Sequence, residues 1–216
     1  MAMVPATAPP DRSVAALPPA ERYAVALPPP ETELPNGTVS LGVILLLVAD
    51  AMALVALLAI WWTIKGGSPA WPPRGTSVGT YLPSMVTITA VMSAFSMQWL
   101  VSSIRRNDQR SGAVALVLTV FLGLAVANAQ WYSLFRAKFG VRSHAYGTLY
   151  YLLITYHLVH VVLAIAAAVL LGARALAGHF GRFGYDPLRA AAIFWHYTIV
   201  AWAVILTAMF LFSAHS

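Results

Sequence analysis

Two histidines, His157 and His160, lie three residues apart in the apolar stretch Tyr146–Val162. This spacing places both side chains on neighbouring parts of one helical face. Two other apolar stretches contain Asp50 and His196. An ionisable side chain within a membrane span is energetically costly and marks a candidate functional site. These residue types are suited to proton handling, to metal or haem ligation, or to hydrogen bonding between helices.

The histidine spacing bears on the choice between ligation and hydrogen bonding. Because His157 and His160 project to the same side, they cannot bind opposite faces of one haem, so a bis-histidine haem needs a partner such as His196. A metal site of three histidines with Asp50 is geometrically conceivable. Histidines in membrane bundles also hydrogen-bond between helices, and we favour that role with neutral rings. We expect Asp50 to be protonated or hydrogen-bonded.

The composition indicates that lipid surrounds most of the chain. Of its 216 residues, 60% are hydrophobic and 9% are charged, whereas soluble domains contain about a quarter charged residues. The absence of cysteine excludes disulfides, thiolate metal sites and a cysteine nucleophile. The net charge of +6 comes from basic residues in short connections between apolar runs. This distribution is typical of membrane proteins near anionic headgroups, and we expect no nucleic-acid partner.

Five continuous apolar runs predict an all-α fold, an integral membrane bundle of five transmembrane helices with a Pro-rich N-terminal tail. Each run exceeds the roughly 20 residues needed to cross about 30 Å of hydrocarbon, and none alternates as barrel strands do. Residues 1–38 contain nine of the fourteen prolines and predict an extended cytoplasmic tail, followed by a membrane domain over 39–216. The predicted spans cover about 41–64, 81–104, 113–135, 146–172 and 189–213.

Aromatic and basic residues indicate the membrane boundaries and the orientation. Four aromatic residues lie in or beside the Gly- and Pro-rich connection 66–79 and predict an interfacial belt: Trp61, Trp62, Trp71 and Tyr81. The tail and the second and fourth connections contain eight Lys and Arg residues, against five on the other side. The positive-inside rule therefore predicts a cytoplasmic N-terminus and a C-terminus outside.

Several motifs resemble subunit III of the haem-copper oxidases, the family of cytochrome c and quinol oxidases. In the fourth span, Tyr146-Gly147-Thr148 and the run from Thr155 to Val161 are similar to the family's Y-G-S, T-G-F-H and H-V positions. In the fifth, Phe194 to Thr198 followed by Trp202 resembles Y-W-H-F…W. Weaker similarities occur in the first two spans, at Ala49-Asp50, Leu82-Pro83, Ser93 to Ser96 and Arg105 to Asp108.

The chain also departs from the family pattern. Asp50 is one methylene shorter than the usual glutamate, and Gln130 is the nearest counterpart of a second acidic position. Thr198 and Ile199 occupy the place where an aspartate usually follows W-H-F-V. We expect the short five-helix bacterial form, which lacks the two helices that begin longer members.

The resemblance implies a cofactor-free integral subunit of a respiratory oxidase in the bacterial plasma membrane. Haems and copper are expected in partner subunits, with catalytic subunit I and other subunits as partners, together with bound phospholipids and membrane lipids. No catalytic, cofactor-binding or metal residue is expected in this chain. The family role is support of oxygen reduction and proton uptake. We expect an interior polar core, for proton-uptake support or for packing, of Asp50, Gln130, Tyr156, His157, His160, Trp195 and His196.

Other functional classes remain open on the sequence alone. An accessory subunit of a nitric oxide reductase resembles the same family, and gene neighbourhood separates the two. An independent proton-coupled carrier using Asp50 and the histidines would be active alone, whereas an oxidase subunit purifies with haem-containing partners. A haem-binding membrane anchor is a further alternative, which an absorption spectrum of the isolated chain tests.

Overall fold

Five long helices make up the computed structural model, which describes residues 37–76, 78–178 and 184–211. All five are long and apolar enough to cross a membrane, and the described residues include no strand, which confirms the predicted all-α membrane bundle. Residues 1–36, nearly the whole predicted tail, lie outside the described residues. The helices are α1 Thr38–Gly66, α2 Tyr81–Arg105, α3 Gln109–Arg136, α4 Ala145–Leu176 and α5 Asp186–Leu206, which continues into a π-helical segment, Thr207–Leu211.

Polar side chains define where two of the helices begin. The Asp108 carboxylate accepts a hydrogen bond from the backbone N–H of Ser111 at 3.0 Å and caps α3. Hydrogen bonds from the side chain and backbone of Ser111 hold the pKa of Asp108 below its ordinary value. At the start of α4, Nδ1 of His144 accepts from the N–H of Gly147 at 2.8 Å. Each cap satisfies an N–H group that lacks a partner within its helix.

The first helix is capped by a residue from the last one. Gly37 at its N-cap has a left-handed φ of 104° and no side chain to offer. Instead, the Asp186 carboxylate accepts from the N–H groups of Val39 at 2.7 Å and Ser40 at 3.2 Å, and from the Ser40 hydroxyl. The N-terminal ends of α1 and α5 therefore lie side by side at one end of the bundle.

Helix α1 packs mainly against α5 along a narrow stripe. Its buried residues recur every seventh position, at Ser40, Leu47, Leu54 and Trp61, and the rest of its surface is largely exposed. A seven-residue repeat keeps one face of a helix directed at a neighbour over its whole length. Asp50 follows Leu47 by three residues and so lies beside the stripe, on the side that meets α4 and α5.

Each of the other four helices packs against at least two neighbours, with α2 on α3, α3 on α4, and α5 against both α4 and α2. Small residues permit the close approach. A Cβ built on Gly123 would lie 2.7 Å from the Trp195 ring, and one on Gly172 would lie 2.8 Å from Leu116. Such contacts leave no space for a side chain at either glycine.

An aromatic cluster joins the end of α1 to the start of α4. The ring centroids of Trp61, Trp71 and Tyr146 are 4.9 to 5.4 Å apart, and all three side chains are buried. The predicted interfacial belt is therefore only partly found at the surface. Trp62 and Tyr81 are exposed as expected, whereas Trp61 and Trp71 are core residues.

Candidate functional site

Asp50 lies at the centre of a hydrogen-bonded cluster built from three helices. The residue is twelve positions into α1, about 18 Å from its start. Its Oδ2 atom accepts hydrogen bonds from the hydroxyls of Tyr156 on α4 and Tyr197 on α5, each at 2.5 Å. Its Oδ1 atom lies 3.1 Å from Nε2 of His160 on α4. The side chains of Asp50 and His160 are 23% and 14% exposed, so the pair is mostly but not fully enclosed.

The hydrogen bonds determine how many protons the Asp50–His160 pair holds. Nδ1 of His160 lies 2.8 Å from the carbonyl oxygen of Tyr156, and a carbonyl can only accept, so Nδ1 carries a proton. A hydrogen bond between Nε2 and Oδ1 of Asp50 then requires one further proton on the pair. Either a protonated carboxyl donates to a neutral ring, or an imidazolium donates to a carboxylate. Both states have zero net charge, and the state with a neutral ring and a neutral carboxyl has the lower desolvation cost at membrane depth.

His157 belongs to a second cluster, deeper in the bundle. Its side chain is 1% exposed. Nε2 lies 2.9 Å from the carbonyl oxygen of Thr198 on α5, and Nδ1 lies 2.5 Å from the amide nitrogen of Gln130 on α3. Nε2–H therefore donates and Nδ1 accepts, so a neutral ring uses both nitrogens. This histidine connects α3, α4 and α5 as a hydrogen-bonding group.

Trp195 and Trp202 extend this polar interior from α5 to α2. The indole N–H of Trp195 donates to the Ser93 hydroxyl at 3.1 Å, and that of Trp202 donates to the Thr87 hydroxyl at 3.0 Å. Both tryptophans are buried. An indole in a core needs such an acceptor, so these bonds fix the register of α5 against α2.

His196 lies apart from both clusters. Its Nδ1 atom is 2.6 Å from the Ala192 carbonyl oxygen of its own helix. The side chain lines a cavity of about 800 Å³ beside the α1 and α5 N-termini, together with Gln98, Arg105 and Arg189. The cavity combines apolar walls with two guanidinium groups at the ends of α2 and α5.

The structure thus distributes the predicted polar core over separate places. It brings Asp50, His160 and Tyr156 together, and it places His157 with Gln130. His157 and His160 serve different clusters because a spacing of three residues turns the side chains about 60° apart around the helix axis. Trp195 and His196 face α2 and the cavity instead.

Tyr197 is the one residue of the Asp50 cluster that the sequence analysis did not assign to the core. A signal was available, because Tyr197 stands where the Y-W-H-F motif has phenylalanine. Tyr156 likewise stands at the phenylalanine of T-G-F-H. Two hydroxyls at positions where the motifs have phenylalanine, in a chain with one acid in its predicted spans, favour a shared hydrogen-bond acceptor.

Among the residues that the structure describes, no group of three or more His, Asp or Glu side chains is placed to hold a metal ion. Asp50 and His160 provide two such groups, and their remaining partners are tyrosine hydroxyls and a carbonyl. The arrangement suits holding a proton better than binding a metal.

Comparison with known proteins identifies the family. The family model for cytochrome c oxidase subunit III matches residues 31–214. The chain belongs to the cytochrome c oxidase subunit III family. This membership confirms the resemblance inferred from the motifs of α4 and α5.

Among relatives, cytochrome c oxidase subunit 3 of Synechocystis sp. is 29% identical over 173 residues, which cover 79% of this chain and 74% of the relative. The same subunit of Thermostichus vulcanus is 23% identical over 172 residues, covering 79% and 86%. That of Marchantia polymorpha is 27% identical over 179 residues, covering 78% and 66%. A subunit III with five membrane-spanning helices is a multi-pass membrane protein that assembles with other oxidase subunits.

Proposed function

We propose that this chain is the non-catalytic subunit III of a bacterial respiratory haem-copper oxidase, supporting the catalytic subunit in oxygen reduction and proton uptake. The observation that carries the proposal is the 3.1 Å contact between Asp50 and His160, which joins two helices of a family-matched bundle. The haems and copper belong to partner subunits. The chain lies in the plasma membrane with its N-terminus in the cytoplasm and its C-terminus outside.

The hydrogen bonds of His157 and His160 support a role without a cofactor in this chain. Both ring nitrogens of His157 are engaged by Gln130 and Thr198, and both ring nitrogens of His160 are engaged by Asp50 and a carbonyl. A haem or copper ligand needs a nitrogen lone pair directed at an open position. Neither ring offers one in this arrangement.

The position of the Asp50 pair supports an auxiliary role in proton uptake. The pair is closer to the predicted cytoplasmic end of α1 than to the opposite end, and it retains partial exposure. A carboxyl and an imidazole that share one proton can exchange it with little change in net charge. Tyr156 and Tyr197 hold the carboxyl oriented in either state.

Bound phospholipids are part of the proposal. The cavity near the helix N-termini presents Arg105 and Arg189 above an apolar lining. Guanidinium groups at the membrane surface suit a phosphate headgroup, and the apolar walls suit its acyl chains. The Pro-rich tail, which precedes α1, is proposed to dock on a partner subunit.

The first experiment tests membership of the complex. An affinity tag on this chain, followed by mild detergent extraction, should recover haem-containing partners with oxygen-reducing activity. The isolated chain should show no Soret band. Purification of the chain alone as an active transporter would contradict the proposal and favour the carrier alternative. Association with a haem protein that reduces nitric oxide and not oxygen would favour the reductase alternative.

The second experiment tests the supporting role. Asp50→Ala should leave haem content and the initial rate of oxygen reduction nearly intact, whereas activity should decline faster during sustained turnover or proton uptake should slow at high pH. Met52→Ala, an exposed site on the same helix, is the matched control. An immediate loss of the initial rate in an assembled complex would place Asp50 in the chemistry itself. No change across pH and long turnover would reduce the pair to packing.

A further inference from the structure

An apolar groove between α3 and α4 contains two polar side chains, Asn128 and Thr155. The groove has a volume of about 550 Å³. Its walls are two short rows, Leu124, Asn128 and Trp131 on α3, and Thr155, Val159 and Val162 on α4. We call this surface the α3–α4 groove. Each row follows the i, i+4, i+7 spacing of one helical face, over about 10 Å.

Asn128 and Thr155 are both exposed, and neither side chain makes a hydrogen bond within the part of the chain that the structure describes. Other exposed hydroxyls in the spans behave differently. The Thr89 hydroxyl, for example, donates to the Met85 carbonyl of its own helix at 2.8 Å. That local bond satisfies a threonine in hydrocarbon without any partner helix. The two groove residues therefore have unused hydrogen-bonding capacity.

The unused hydrogen-bonding capacity of Asn128 is significant because this residue lies within the hydrocarbon. It lies eight residues before the end of α3, about 12 Å along the helix axis, and about one turn deeper than Trp131. Helix α3 has 28 residues, so it exceeds about 30 Å of hydrocarbon by roughly 6 Å at each end. Asn128 is then about 6 Å inside the hydrocarbon, where water does not satisfy its amide.

We propose that the α3–α4 groove seats a transmembrane helix of another oxidase subunit, one that presents a hydrogen-bonding side chain to Asn128 and Thr155. This inference rests on the proposed function, because it requires that the chain works within an oxidase complex. A lipid acyl chain fits the apolar walls but leaves both polar groups without partners. A helix satisfies them, since serine, threonine, asparagine and glutamine bond across helices in membranes.

The shape of the groove fits the same occupant. Two adjacent antiparallel helices with matching i, i+4 rows form ridges on either side of a depression. A third helix packs into such a depression with its own ridges at an interaxial distance of about 8–10 Å. The cavity lined by Arg105 and Arg189 differs, because charged groups at its mouth meet headgroups or water.

Site-directed photo-crosslinking tests which molecule occupies the groove. The chain contains no cysteine, so a single Val159→Cys variant can carry a benzophenone maleimide within the intact oxidase. Phe95→Cys, exposed on α2, is the matched control. The expected result is a crosslink from position 159 to a transmembrane peptide of another oxidase subunit, identified by mass spectrometry. In an assembled oxidase, lipid adducts alone, or a dimer of this chain, would overturn the proposal.

A second measurement uses the polar groups themselves. Removing two membrane hydrogen bonds with the double substitution Asn128→Leu and Thr155→Val should weaken retention of the chain in the complex by about eightfold. Thr89→Val removes a hydroxyl that is already satisfied within its helix and should leave retention unchanged. Equal retention of the double variant and the wild type would overturn the groove assignment. Failure of the wild type to co-purify with haem-containing subunits would instead contradict the proposed function.

Discussion

Replacing Asp50 tests whether its cluster stabilises the bundle and whether an amide can take the place of the carboxyl group. In Asp50→Leu the two tyrosine hydroxyls and Nε2 of His160 lose their shared acceptor or donor. Hydrogen bonds in membrane proteins average about 0.6 kcal/mol, so three lost bonds predict a cost of about 2 kcal/mol. The hydroxyls of Tyr156 and Tyr197 lie 3.4 Å apart and can bond to each other, which recovers part of this loss.

Asp50→Asn has a different predicted outcome. The amide oxygen accepts from both tyrosines as the carboxylate does, and the amide N–H₂ group donates to Nε2 of His160 if that nitrogen is unprotonated. The cost should then stay below about 0.6 kcal/mol, the worth of one bond. The free energy of unfolding is measured by titrating the purified chain with SDS in mixed micelles. Met52→Leu is the control, because Met52 is 70% exposed on the same helix.

The comparison of the two substitutions determines what the result means. If Asp50→Leu costs no more than Met52→Leu, the cluster contributes nothing to stability and the reasoning is refuted. If Asp50→Asn costs as much as Asp50→Leu, the amide does not replace the hydrogen bonds of the carboxyl group, and the stability of the cluster depends on an acid at position 50.

Three further predictions concern packing and caps. Gly123→Ala should lower the free energy of unfolding by about 1–3 kcal/mol in the same SDS assay, because its Cβ would lie 2.7 Å from the Trp195 ring. Gly42→Ala is the control. Its Cβ would have no atom within 4 Å, so it should stabilise α1 by about 0.5–1 kcal/mol. Asp186→Ala should cost about 0.5–2 kcal/mol by removing the cap of α1, and Asp186→Asn should cost less; equal costs would contradict capping. The folded-state pKa of Asp108 is lowered, so its carboxylate stabilises the folded state at pH values above the unfolded-state pKa. This stabilisation is lost as pH falls through the folded-state pKa. Asp108→Ala should therefore reduce the fall in the free energy of unfolding at acid pH.

Much of the fold was predictable because the membrane imposes simple requirements. Continuous apolar runs longer than about 20 residues can only be helices in lipid, and the five runs correspond to five helices. The boundaries were less predictable, since polar caps such as Asp108 extend a helix beyond its apolar run. The sequence did not distinguish Trp61 and Trp71, which are buried, from interfacial tryptophans. The amphipathic indole ring is suited both to a core and to the headgroup region.

The candidate site was predictable in its residues more than in its connections. Sequence showed that Asp50 and the histidines are unusual at membrane depth, but it did not show which helix faces meet. A spacing of three leaves two side chains about 60° apart, enough for His157 to reach Gln130 while His160 reaches Asp50. The use of Asp186 as a cap for α1 depends on contact between the first and last helices, which no local pattern encodes.

Three departures from the family motifs, at Asp50, Tyr156 and Tyr197, lie in one hydrogen-bonded cluster. Asp50 is one methylene shorter than the usual glutamate, and its carboxyl is met by hydroxyls at two positions where the motifs have phenylalanine. A tyrosine extends a phenylalanine by one hydroxyl group, which places a donor nearer to a carboxyl that lies one methylene closer to its own helix. A shorter acid without these hydroxyls would lose partners in hydrocarbon, and without the acid the two hydroxyls would have only each other as partners. The acid and the two tyrosines therefore constrain one another, and His160 retains a carboxyl oxygen with which to share its proton.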